Sequence, residues 1–206
     1  MHMKTKTLRN SLIILLVFAI FGFYFPQIKF ASAQEDKIEK KPWLIETGFA
    51  SGHNLGRMKG NRKFESIFFS YLLGYDVEPI LNKLRLGVPG KVQINFAPFL
   101  NPVIAPDSNV EFGFDLLLKY SFPIVKKIWP YVEAGYGWIY STQHTAEQAT
   151  QWNFLVQGGG GFSFFVKENV SLNLGYRRRH YSNKDTKEPN KGIDSSMYII
   201  GISFHR

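Results

Sequence analysis

The 206-residue sequence contains no cysteine. Its stability therefore owes nothing to disulfides, which small exported domains commonly need. Zinc-binding spacings and phosphate-cradling glycine motifs are missing as well, so neither metal nor cofactor is expected. Past residue 33 no apolar run is long enough for a membrane-spanning helix. Nor is there a large excess of charge of one sign, although the formal net charge is +9. Part of that charge belongs to the first 33 residues. Lys4, Lys6 and Arg9 precede an apolar run from Leu12 to Phe25, and Ala31-Ser32-Ala33 follows as a small-x-small cleavage signal. This is the anatomy of a secretory signal peptide over residues 1–33, and the apolar run is short for a permanent anchor. Cleavage before Gln34 also removes Lys29, so 25 basic residues fall to 21 against 16 acidic ones, a net +5. That balance gives no basis for nucleic-acid binding.

What the chain has in abundance is aromatic residues: 19 Phe, 10 Tyr and 4 Trp. They alternate with polar residues. In "NVEFGFDLLLKYSF" the residues Phe112, Phe114, Leu116, Leu118, Tyr120 and Phe122 share one parity. Glu111, Gly113, Asp115, Lys119 and Ser121 occupy the other, with Leu117 as the exception. Successive strand side chains point to opposite faces, so one face is apolar and the other charged. Sustained alternation over about 9–11 residues matches a tilted transmembrane strand. "PYVEAGYGWIY", "WNFLVQGGGGFSFFV", "VSLNLGY" and "MYIIGISF" behave alike, and "PWLIETGFASG", "FESIFFSYLLGYDV" and "KVQINFAPFLNPV" do so more weakly. Eight strands result, the even number that bacterial outer-membrane barrels have. The expected fold is an all-β, eight-stranded antiparallel transmembrane barrel over residues 34–206, placed in the outer membrane. Polar links at Ser51–Lys63, Asn101–Ser108, Ser141–Gln151 and Asn183–Ser195 fall on one end, and shorter ones at Phe122–Ile128 and Lys167–Asn169 on the other. Glu78–Gly90 is long for the short-turn end and suits a hairpin or short helix. Trp43, Trp129, Trp138 and Trp152 lie at or near strand ends, where interfacial girdles belong.

The seventh strand runs into "RRRHYSNKDTKEPNKGID", Arg177–Asp194. Its apolar parity, Val170, Leu172, Leu174 and Tyr176, continues through Arg178, His180 and Ser182. A His and a Ser thus share the lipid face at the outer end of the strand, about 7 Å apart at Cα. Asp194 has the parity of Tyr198 and Ile200, and the hairpin can bring it beside His180. A serine hydroxyl needs a base to take its proton, and a carboxylate to orient that base.

"HYSN" followed by "PNKGID", with a polar residue twelve places beyond the Ser, resembles the lipid A 3-O-deacylase (PagL) family. The specific match covers Arg177–Gly192 and its flanks. The resemblance implies an eight-stranded outer-membrane barrel that hydrolyses the ester-linked acyl chain at position 3 of lipid A in the outer leaflet. It implies His180 as base, Ser182 as nucleophile and Asp194 as acid, a carboxylic ester hydrolase with lipopolysaccharide and the surrounding outer-membrane lipid as its partners. Two features depart from the family: Asp stands where Glu is usual, leaving Glu188 and Asp185 as other acids, and His205-Arg206 follows Phe204 where an aromatic end is usual.

Around this pattern, Asn183, Asn190 and Gly192 are candidate oxyanion donors, although the same residues are ordinary in turns. Arg178 is a candidate ligand for a lipid phosphate; Arg177 and Arg179 point to the lumen, toward Glu111, Asp115 or Glu133. Pairing through Lys167–Asn169 sets Gly158 opposite Arg178 and Gly160 opposite Tyr176. Both glycines are candidates for a shallow acyl groove, or for a bend in the wall. His53 and His144 are expected as solvated loop residues. Two other functions remain open: a phospholipase A-like outer-membrane esterase, and a non-enzymatic structural or adhesive barrel. A homodimer is compatible with the sequence, which does not fix the oligomeric state.

Overall fold

The computed structural model describes residues 43–58, 62–143 and 149–206; the expected signal peptide and His144 lie outside them. Eight antiparallel strands close into a barrel in sequence order: β1 (Leu44–Arg57), β2 (Lys63–Asp76), β3 (Lys91–Ala105), β4 (Asn109–Ser121), β5 (Ile128–Ser141), β6 (Trp152–Lys167), β7 (Val170–Ser182) and β8 (Ile193–His205). β8 pairs with β1, so no strand edge is left open. Ladder partners followed once around the wall from His180 lead back to Val170, ten residues lower on β7. A stagger of this kind goes with strands tilted by about 35–45°.

The distribution of side chains is inverted relative to a water-soluble protein. Phe49, Phe69, Leu100, Phe112, Leu118, Tyr136, Val156, Phe162, Leu174 and Ile200 are exposed on the outer wall. Inside lie Glu46, Glu111, Asp115, Lys119, Glu133, Arg177 and Arg179. A bilayer selects this arrangement, because a closed ladder leaves no backbone group to hydrate and the wall presents hydrocarbon.

The lumen is filled in layers. Near the start of β1 and the end of β8, Lys119 pairs with Glu46, which also accepts from Gln93. Higher up, Arg177 Nε donates to Glu133 at 2.6 Å and Arg179 to Glu111 at 2.7 Å. Tyr181 donates its hydroxyl to the same Glu111 at 2.8 Å. The opposite end is closed by an apolar cluster that includes Phe64, Phe68, Leu155, Tyr181, Ile193 and Met197. Leu117, the exception to alternation, is one of the buried inward residues.

Three expectations need correction. β1 and β3 run on to Arg57 and Ala105, so two of the supposed long links shrink to residues 58–62 and 106–108. Ser, His, Asn and Gly in β1, and Pro98 and Pro102 in β3, hide the alternation there. His53 is therefore a strand residue, hydrogen-bonded to Glu65 at 2.7 Å, and not a loop residue. Trp129 packs on Phe165 and lines a recess with Glu46, Lys119 and His205 at one mouth of the lumen, away from any outer girdle. The Glu78–Gly90 segment holds a short helix, α1 (Glu78–Lys83), with Pro79 in its first turn.

Candidate active site on the outer wall

The arginine run sets the face of everything after it. Arg177 and Arg179 turn inward to acidic partners, so Arg178, His180 and Ser182 turn outward. A one-residue slip would pull His180 into the lumen and leave two arginines in the apolar wall. His180 is flanked by Arg179 and Tyr181, each 1% exposed. Asp194 is flanked likewise by Ile193 and Ser195. Both outward side chains thus stand on backbone fixed by inward anchors.

His180 and Asp194 are direct ladder partners of β7 and β8. Their side chains meet through His180 Nδ1 and Asp194 Oδ1 at 3.1 Å. About half of each side chain is exposed, 48% and 59%. Engagement of Nδ1 leaves Nε2 as the free nitrogen. Ser182 lies on the same face, two residues on, opposite Phe154 of β6. Among the described residues no hydrogen bond joins Ser182 to the imidazole; such contacts commonly tighten only when substrate binds. An imidazole held by a carboxylate beside a hydroxyl can support nucleophilic acyl transfer.

The loop from Asn183 to Gly192 joins β7 to β8 and brings Gly192 against the imidazole. Asn183 donates its side-chain amide to Lys187 O at 2.7 Å, and its backbone N–H to Asn190 Oδ1 at 3.0 Å. Asn190 in turn donates to Asp185 Oδ1 at 2.8 Å. Both asparagines therefore build the loop, and Asp185 is engaged there and not with His180. Gly192 has φ +65° and abuts the imidazole. A Cβ at that position would lie 2.6 Å from His180 Cε1 and 3.2 Å from Nε2. Only glycine fits both the backbone and the ring without displacing one of them.

Arg178 lies outward and donates to Ser196 Oγ at 3.3 Å, on the β8 side. Ser196 also contacts the Tyr176 hydroxyl at 3.0 Å. The guanidinium is thereby drawn away from β6, where Gly158 faces Arg178 and Gly160 faces Tyr176 as expected. The two glycines are not equivalent. A Cβ at Gly158 would meet only ordinary contacts, 3.6 Å to Glu133 O and 3.7 Å to Ala134 Cβ. One at Gly160 would come within 2.6 Å of Tyr131 O, which makes it a close-approach position.

Sequence reasoning passed over Lys184, and it named Gly192 without its contact to the imidazole. Lys184 places its ammonium 4.2 Å from the centre of the Phe154 ring. It shares the parity of Ser182, but it lies beyond the end of β7 at φ +53°, where parity no longer assigns a face. The contact of Gly192 with the imidazole had no sequence signal either, since it comes from the path of the loop.

A family model described as lipid A 3-O-deacylase (PagL) matches residues 67–203, a span that contains the whole cluster. Comparison with curated proteins finds no match. Among solved structures, the chain is similar to the outer membrane enzyme PagL at 20% identity and a TM-score of 0.55, covering 74% of this chain and 97% of that one. Its similarity to Neisserial surface protein A is 15% identity and a TM-score of 0.57, with 79% and 97% covered. At these identities the two structures speak to the fold.

Proposed function

Because the chain belongs to the lipid A 3-O-deacylase (PagL) family, we propose that it hydrolyses the ester-linked acyl chain at position 3 of lipid A. The reaction takes place in the outer leaflet of the outer membrane, and Ser182, His180 and Asp194 carry it out. The single observation that most supports this is the contact of His180 Nδ1 with Asp194, outward on the wall and beside Ser182.

In the proposed sequence, His180 Nε2 takes the Ser182 proton as Oγ attacks the ester carbonyl. Asp194 orients the ring and stabilises the imidazolium. The tetrahedral intermediate collapses, the sugar 3-oxygen leaves with the proton from His180, and the acyl group stays on Ser182. Water, deprotonated by His180, then releases the fatty acid and restores the hydroxyl. The negative charge on the intermediate is received by the loop, through the main-chain N–H of Gly192 and the second amide hydrogen of Asn190. Asn183 holds that loop in place. The acyl chain lies over Gly158 and Gly160, and Arg178 meets the lipid at the edge of its polar region.

Mass spectrometry of lipid A from cells expressing the protein tests the reading. Loss of the position-3 acyl chain is expected. Lysophospholipid in place of deacylated lipid A would point to a phospholipase, and no change at all to a structural barrel. In the same assay Gly158→Leu should fold, because its Cβ has room, yet yield far less product by filling the acyl path. An unchanged product level would remove Gly158 from that path.

A further inference from the structure

We propose that Lys184 is a phosphate ligand, holding a phosphate on the sugar of the same lipid whose ester Ser182 attacks. The proposal rests on the hydrolase reading above and names a binding subsite within it.

β7 ends at Ser182, and Lys184 follows in the left-handed conformation, φ +53°. That turn sends its side chain back over β6. The ammonium lies 4.2 Å from the centre of the Phe154 ring. Phe154 is the ladder partner of Ser182. A cation is thereby seated on an aromatic face one residue across from the nucleophile, where an ordinary surface lysine would sweep through solvent. Among the described residues no carboxylate forms an ion pair with it, and Asp185, its neighbour in sequence, is bonded to Asn190.

The outward column of β6 then has two chemically distinct ends. Gly158, where a Cβ would meet only ordinary contacts, lies on the membrane side. Phe154, carrying the ammonium, lies on the loop side level with Ser182, and His180, opposite Val156, stands between the two ends on β7. Arg178 does not compete for this column, since it leans to Ser196 on β8. A ligand suited to the column has an acyl chain toward the Gly158 end, and an ester at the level of Ser182 with an anion close beside it. A phosphorylated glycolipid meets that description, whereas a neutral ester leaves the ammonium unused. Lysine suits the role as a compact charge with three donors.

The test uses the full-length protein in detergent micelles and two substrates: phosphorylated lipid A, and the same lipid A after enzymatic removal of its phosphates. Lys184→Gln should raise KM on the phosphorylated substrate about tenfold, as expected for one lost charge-assisted hydrogen bond, and leave kcat unchanged. On the dephosphorylated substrate, variant and wild type should have the same KM. Lys184→Arg, which keeps the charge, should hold the wild-type KM on both. Lys187→Gln removes an equal charge from the same loop and should have no effect. The proposal is overturned if Lys184→Gln leaves KM unchanged, if it raises KM equally on both substrates, or if Lys187→Gln does the same. Failure of the hydrolase reading looks different: Ser182→Ala would then turn over both substrates at the wild-type rate.

Discussion

At the scale of single residues, the proposed acid is one of the points at which the chain departs from the usual pattern. Asp194 is one methylene shorter than the Glu expected there, yet it touches His180 Nδ1. Direct pairing on adjacent strands brings the two side chains close enough for the shorter residue to reach. Asp194 is also 59% exposed, so a longer side chain has room. Asp194→Glu should therefore keep most of the activity. Asp194→Ala should lower kcat on the order of a hundredfold, in the range for loss of acid–base support. Steady-state kinetics on purified lipid A would read both. A larger loss from Glu188→Ala than from Asp194→Ala would show that the acid lies in the loop.

At the scale of elements, β7 couples stability to function. Its inward arginines pair with Glu111, Glu133 and Asp115, and its outward positions carry the proposed base and nucleophile. Replacing Arg179 by Met leaves Glu111 buried with the neutral donors Tyr181 and Asn101 and no cation bonded to it among the described residues. Breaking one side of a buried ion pair costs about 3–5 kcal/mol. Arg179→Met should lower the urea midpoint of the refolded barrel accordingly. An unchanged midpoint would mean that the lumen hydrates Glu111 and that the pair contributes little. This element was legible in the sequence because parity alone sorts Arg177 and Arg179 from Arg178, His180 and Ser182. β1 and β3 were less so. Neither face of upper β1 is strongly apolar, and Pro98 and Pro102 argue against a strand by local rules. Closure of the ladder overrides both signals, since β1 must pair with β8 and β3 with β4 along their whole length.

At the scale of the whole molecule, the barrel turns the usual geometry of an enzyme inside out. The lumen is packed and ionic, and in the proposed reaction substrate meets the wall and not a cavity. Length, parity and strand count made that architecture readable, because a bilayer imposes long alternation and an even closure. The pairing of His180 with Asp194, and the placing of Ser182 on the same face, were readable for the same reason. What could not be read was the loop: the closeness of Gly192 to the imidazole and the position of the Lys184 ammonium over Phe154 depend on backbone conformations at three residues, Lys184, Asp185 and Gly192, that periodicity does not specify.

The most direct measurement is covalent. The purified, folded protein is treated with a fluorophosphonate that esterifies activated serines, and its peptides are examined by mass spectrometry alongside lipid A turnover. The account predicts one adduct, on Ser182, lost together with turnover in a folded His180→Ala variant. Lipid A deacylation that persists with Ser182 replaced by Ala, or an adduct on another serine, would contradict it.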